Sequence, residues 1–128
     1  DCNCWSYASV KCALPTQGDP KAFEARYFGR RVIYLLGGND VDPNHSALDK
    51  SCAGEAQGAF RLERGNNYFA HLQRRARAQN LALRHSRVEV PGVGHEAERM
   101  FNSVCGRAAL FDTAGCEMKP GEAMTAPK

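Results

Sequence analysis

The run Arg30-Arg-Val-Ile-Tyr-Leu-Leu36, closed by Gly37-Gly38, constrains the fold more than any other stretch of the chain. It is dominated by residues that pack well on a pleated surface, and its apolar positions are continuous instead of alternating. A strand with one wet face alternates, whereas a continuous apolar strand is buried on both faces, as in a parallel sheet covered by helices. An α/β fold with a strand near 31–36 is therefore expected, and the rest of the chain must supply a parallel neighbour and the covering helices.

Leu83, Val88 and Val90 predict that neighbour near 83–90. It ends at Pro91-Gly-Val-Gly94, because proline lacks the amide donor of a ladder and glycine costs backbone entropy. Between the two strands Leu62, Gly65, Phe69, Leu72 and Ala76 recur at spacings of three and four up to Asn80, one face of a helix, with an interruption expected near Gly58. Two parallel strands need such a crossover, which should be right-handed. Upstream, Pro20 to Phe28 suits a short helix with Asp19 as N-cap and Gly29 as terminator. Downstream, Ala97, Met100, Phe101, Val104, Ala108 and Phe111 predict a final helix over 96–110.

The expected organisation is an irregular cysteine-containing segment over 1–20, with Trp5 and Tyr7 as packing residues, and an α/β core over 21–111. From 112 to 128 a tail too poor in apolar residues to fold alone is expected to be mobile. A chain of 128 residues holds at most one domain. Asp1 at the start leaves processing, design or loss of an upstream part as the origin of the N-terminus. The net charge of +3 is spread along the chain, and Arg74-Arg75-Ala76-Arg77 falls on a helix without interleaved aromatics, so a solvated face is expected there and no nucleic acid. No apolar run approaches the ~20 residues that span a bilayer, so no membrane partner is expected. Six cysteines, at 2, 4, 12, 52, 105 and 116, favour an oxidising compartment, secreted or periplasmic, and allow 15 pairings. A bridge between Cys52 and Cys105 is one expectation, since it would tie together the two loops described next.

Parallel strands place their C-terminal loops side by side, at the edge where open α/β sheets collect ligands and catalytic groups. The first such loop, Gly37-Gly-Asn-Asp40, carries an acid, and the second delivers His95 at a helix start. A carboxylate beside an imidazole orients the ring, selects its tautomer and stabilises the imidazolium, which is useful only with a nucleophile. Asp42 is the second candidate for the acid. Helix or turn capping is the rival role for Asp40, helix capping the rival for His95, and His45, His71 and His85 are expected to be solvent-facing or locally hydrogen-bonded. No metal or cofactor is expected: Cys2-x-Cys4 is a weak metal signal, and Asp40-x-Asp42-x-Asn44-x-Ser46 opens like a calcium loop but meets His45 where glycine is required and Ser51 where glutamate is required.

Tyr34-Leu-Leu-Gly-Gly-Asn-Asp40 resembles the acid loop of α/β-hydrolases, and Val90-Pro-Gly-Val-Gly-His95 resembles their histidine loop, in the family's order over residues 20 to 111. The resemblance implies Asp40 as triad acid and His95 as general base in a serine esterase acting on a small ester. The Gly-x-Ser-x-Gly nucleophile elbow is missing, and Ser6, Ser9, Ser46, Ser51, Ser86 and Ser103 stand in no strand-to-turn-to-helix context. The oxyanion-hole loop is missing too. The resemblance thus implies a C-terminal portion, inactive alone, whose partner is the absent N-terminal part or a second copy docked on a strand edge. The alternative is a stand-alone α/β binding module in which Asp40 and His95 are structural.

Overall fold

The structure is a computed structural model that describes residues 19–127. The segment 1–18, with Trp5, Tyr7 and three of the cysteines, lies outside the described residues. Helix α1 (Pro20–Phe28) leads into strand β1 (Val32–Gly37); α2 (Cys52–Glu55) and α3 (Arg61–Ala78) then cross over to β2 (His85–Val90). Two further helices, α4 (Ala97–Asn102) and α5 (Val104–Phe111), lead to β3 (Ala123–Thr125). The sheet has the order β1-β2-β3 with both pairings parallel, and Gly37 pairs with Val90, so β1 and β2 end flush.

Helices cover both faces, as the continuous apolarity of β1 requires. On one face Ile33 and Leu35 of β1, Val88 and Val90 of β2 and Met124 of β3 pack with Met100 of α4 and with Cys105 and Ala108 of α5. On the other, Tyr34 packs with Phe28 of α1 and with Phe69, Leu72 and Ala76 of α3. Fully burying a side chain such as Phe69 or Leu72 contributes about 1.5–3 kcal/mol. His85 is fully buried on this second face, so it is locally hydrogen-bonded and not solvent-facing. Its Nε2–H donates to the Tyr27 carbonyl at 2.8 Å, which leaves Nδ1 to accept from the Tyr34 hydroxyl at 3.0 Å. The Tyr34 hydroxyl meets that of Tyr27 at 2.9 Å. Below α1, Glu24 accepts two hydrogen bonds from Arg75, at 3.0 and 2.7 Å, and one from Gln79.

Three expectations need correction. The final helix is broken: Ser103 is extended and caps both pieces, its hydroxyl donating to the Met100 carbonyl at 2.7 Å and accepting from the Gly106 amide at 3.0 Å. A methyl on Gly106 would lie 2.1 Å from the Met100 carbonyl oxygen, so glycine permits the tight crossing of α4 and α5. The supposedly single apolar face therefore divides, and Phe101, Val104 and Phe111 are exposed. The tail expected to be mobile adds β3 to the sheet, with the Arg87 amide donating to the Glu122 carbonyl at 3.1 Å and the Ala126 amide to the Glu89 carbonyl at 2.7 Å. It does not fold alone; β2 supplies its hydrogen bonds, and a disulfide anchors it. That disulfide joins Cys105 to Cys116, Cα atoms 5.1 Å apart, which excludes the Cys52–Cys105 bridge; Cys52 is also disulfide-bonded.

Candidate active site

The acid loop and the histidine loop are held by the backbone at the flush ends of β1 and β2. The Gly38 amide donates to the Val90 carbonyl at 2.9 Å and the Asn39 amide to the Val93 carbonyl at 2.8 Å. Gly37 allows this approach, since a methyl there would stand 2.5 Å from the Val93 oxygen and 2.6 Å from the Gly94 oxygen. The amide of Leu62, in the first turn of α3, donates to the Asp40 carbonyl at 3.1 Å. The acid is thus fixed between the end of a strand and the start of a helix, where unpaired amides need acceptors.

Across this junction His95 Nδ1 donates to Asp40 Oδ2 at 3.0 Å. The carboxylate is largely buried, its side chain 12% exposed, whereas the His95 side chain is 56% exposed. With its proton on Nδ1, His95 presents the lone pair of Nε2 to whatever approaches from solvent. Asp40 Oδ1 faces the guanidinium of Arg61, 3.4 Å from Nη1. The cavity beside them, about 400 Å3, has an apolar wall that includes Leu35, Leu62, Met100 and Phe101, and polar groups from Asp40, Arg61 and His95.

Sequence spacing thus brought together the two residues it singled out. Asp42, the other candidate acid, accepts from the Asn44 amide at 2.8 Å in a local turn. Asp40 and Asp42 point their carboxylates at different partners, unlike the converging ligands of a calcium loop. Two residues of the site were missed. His45 is locally hydrogen-bonded, as expected, its Nδ1 accepting from the Ala47 amide at 3.1 Å, but it also stands edge-on to His95, ring centroids 5.7 Å apart. Arg61 escaped notice because cations are common on helices, but a cation in the first turn of a helix opposes the helix dipole, and that signal was readable.

No protein-family model matches the chain, and no curated protein sequence does. Among solved structures it is similar to a poly(3-hydroxybutyrate) depolymerase from Bordetella parapertussis, with a TM-score of 0.60 and 30% identity over 69% of this chain and 29% of that one. It is also similar to poly(aspartic acid) hydrolase-1 from Sphingomonas sp. KT-1, with a TM-score of 0.60 and 23% identity over 69% of this chain and 33% of that one. The fold is of the α/β-hydrolase kind. The chain spans about a third of the length of the solved structures it matches. On this hydrolase sheet, Asp40 and His95 follow adjacent parallel strands, in that order.

Among the described residues, three serine hydroxyls are engaged in holding the fold. Ser51 caps α2 by accepting from the Gly54 amide at 3.1 Å, Ser103 caps α5, and Ser86 is buried with its hydroxyl donating to the Lys119 carbonyl at 3.0 Å. Each of these three hydroxyls has a structural task.

Proposed function

We propose that the chain is the acid-and-histidine portion of a secreted or periplasmic serine hydrolase that cleaves small esters in the intact protein, with the nucleophile supplied from outside these residues. The observation that carries this reading is the 3.0 Å hydrogen bond from His95 to Asp40 at the carboxyl edge of two parallel strands. In the reaction, Nε2 of His95 takes the proton of the incoming serine hydroxyl and returns it to the leaving alcohol. Asp40 holds the Nδ1 tautomer and stabilises the imidazolium between those steps; loss of such a carboxylate from a serine triad lowers turnover by about 10⁴. The apolar wall of Leu35, Leu62, Met100 and Phe101 suits an acyl group beside the polar pair. One structural neighbour is named for depolymerising poly(3-hydroxybutyrate), a polyester, which agrees with ester chemistry.

One feature fits a portion of a larger assembly. Among the described residues β1 has a strand on one side only, so its other edge is open to a missing part of the same protein or to a second copy. The Cys105–Cys116 bridge agrees with an oxidising compartment, and no helix among the described residues is long and apolar enough to cross a membrane.

The test uses a fluorophosphonate probe and a p-nitrophenyl ester. The 128-residue chain should neither be labelled nor turn over the ester. The longer polypeptide encoded with it should do both, and His95→Ala in that polypeptide should abolish turnover. Turnover by the 128-residue chain that His95→Ala removes would overturn the fragment claim; a folded longer polypeptide that stays unlabelled would overturn the hydrolase reading.

A further inference from the structure

Resting on the reading of Asp40 and His95 as an acid–histidine pair, we propose that Arg61 is the positioning residue that locks the pair, with His45 as the wall it holds against the His95 ring. Arg61 is the first residue of α3, an 18-residue helix whose N-cap, Phe60, makes no side-chain cap bond. The first turn of such a helix carries partial positive charge and favours acids. A guanidinium placed there is disfavoured unless an anion meets it, and Asp40 Oδ1 does so at 3.4 Å with both side chains mostly buried, 20% and 12% exposed. This is ion-pair distance rather than ideal hydrogen-bond distance.

The two oxygens of Asp40 therefore have different partners. Oδ1 faces Arg61 and Oδ2 accepts from His95, which stops the carboxylate from turning about its own bond. The other terminal nitrogen of Arg61, Nη2, lies 3.4 Å from Nδ1 of His45. That nitrogen also accepts from the Ala47 amide at 3.1 Å, so two N–H groups converge on it and the His45 proton belongs on Nε2. Held this way, the His45 ring stands at 71° to the His95 ring and closes one side of it. His95 is more than half exposed, and a mobile ring with one hydrogen bond would otherwise sample several rotamers. One guanidinium thus fixes the carboxylate and the neighbouring ring together, which is a task for the planar fork of arginine and not for a lysine point charge.

The experiment reads the His95 side chain directly in the 128-residue chain, by imidazole ¹H–¹⁵N NMR, with Asp40→Ala, Arg61→Met and Arg61→Lys as variants. Wild type should show a single Nδ1–H tautomer for His95 with a slowly exchanging proton. Arg61→Met should speed that exchange at least tenfold and mix the tautomers, and Arg61→Lys should fall between. If Arg61→Met fails to fold, Arg61→Lys carries the test, because lysine cannot meet Asp40 and His45 at once; exchange equal to wild type then overturns the proposal. Loss of the Nδ1–H signal in Asp40→Ala, with unchanged exchange in a folded Arg61→Met, overturns the role of Arg61 and leaves the pair standing. A His95 signal unaffected by Asp40→Ala overturns the pair itself.

Discussion

Gly37 is where a single residue decides whether the acid and the histidine meet. It pairs with Val90 at the end of the ladder, and the histidine loop passes so close that a methyl there would sit 2.5 Å from the Val93 oxygen. Both neighbours are backbone atoms and cannot turn aside as a side chain does. Gly37→Ala should therefore push the Val93–His95 segment outward and destabilise the fold by about 1–3 kcal/mol, the usual range for overpacking. The His95 Nδ1–H signal measures the first effect and urea unfolding the second. An unchanged midpoint with an intact signal would show that the loops have slack which these distances deny.

At the scale of elements, the tail tests how far a disulfide can recruit chain that does not fold by itself. β3 has three residues, and its neighbours Cys116 and Ala126 join the core beside α5. The bridge closes over a sequence separation of 11, for which chain entropy suggests about 2–3 kcal/mol. In a Cys105→Ser, Cys116→Ser variant the Ala126 amide, bonded to the Glu89 carbonyl, should lose hydrogen-exchange protection while the amides of β1 paired to β2 keep theirs. Equal loss in both places would mean that β3 is integral to the sheet and not tethered to it. The elements legible in the sequence were those with a local cause. The apolar run of β1, the three-and-four spacing of α3, and the Asp19 cap with Pro20 at the start of α1 each act within a few residues. What was missed depends on distant partners: Ala123-Met-Thr125 has no pattern of its own and becomes a strand only beside β2, and Cys105 had five possible mates. The break at Ser103 was local, but the apolar spacing that runs across it looked like one continuous helix. The site divides in the same way. Asp40 and His95 follow from strand ends and parallel topology, whereas Arg61 and His45 enter through the return of α3 onto the acid loop, a contact between positions 21 apart.

For the molecule as a whole, the face of the sheet covered by α1 and α3 sets the response to acid. Burial and the Arg74 and Arg75 charges lower the pKa of His71, with Glu24 acting against them. Burial also lowers that of His85, which the hydrogen bond to Tyr27 only partly offsets. Both rings are thus held neutral in the folded chain below the pH at which the unfolded chain, with the ordinary imidazole value of 6.5, takes up protons. Between that value and the lower folded values the unfolded state binds more protons, so stability rises with pH; it is fully present above 6.5 and declines as pH falls below it. Glu24 adds a second, more acidic window. Burial raises its pKa, but the hydrogen bonds from Arg75 and Gln79 and the Arg75 charge outweigh that and leave it below 4.5, so its contribution is present above 4.5 and is lost as pH falls through the folded value. Unfolding free energy measured in urea should therefore be flat from pH 8 to 7 and fall below 6.5. The slope attributable to each histidine is at most about 1.4 kcal/mol per pH unit, the value of one proton. His71→Gln should flatten the descent between pH 6.5 and 5 and leave most of the descent below 4.5 in place, because Glu24 keeps Arg75 and Gln79 and loses only the smaller contribution of the His71 charge. A His71→Gln profile that parallels wild type through pH 6 would take the acid sensitivity away from His71 and leave it to His85.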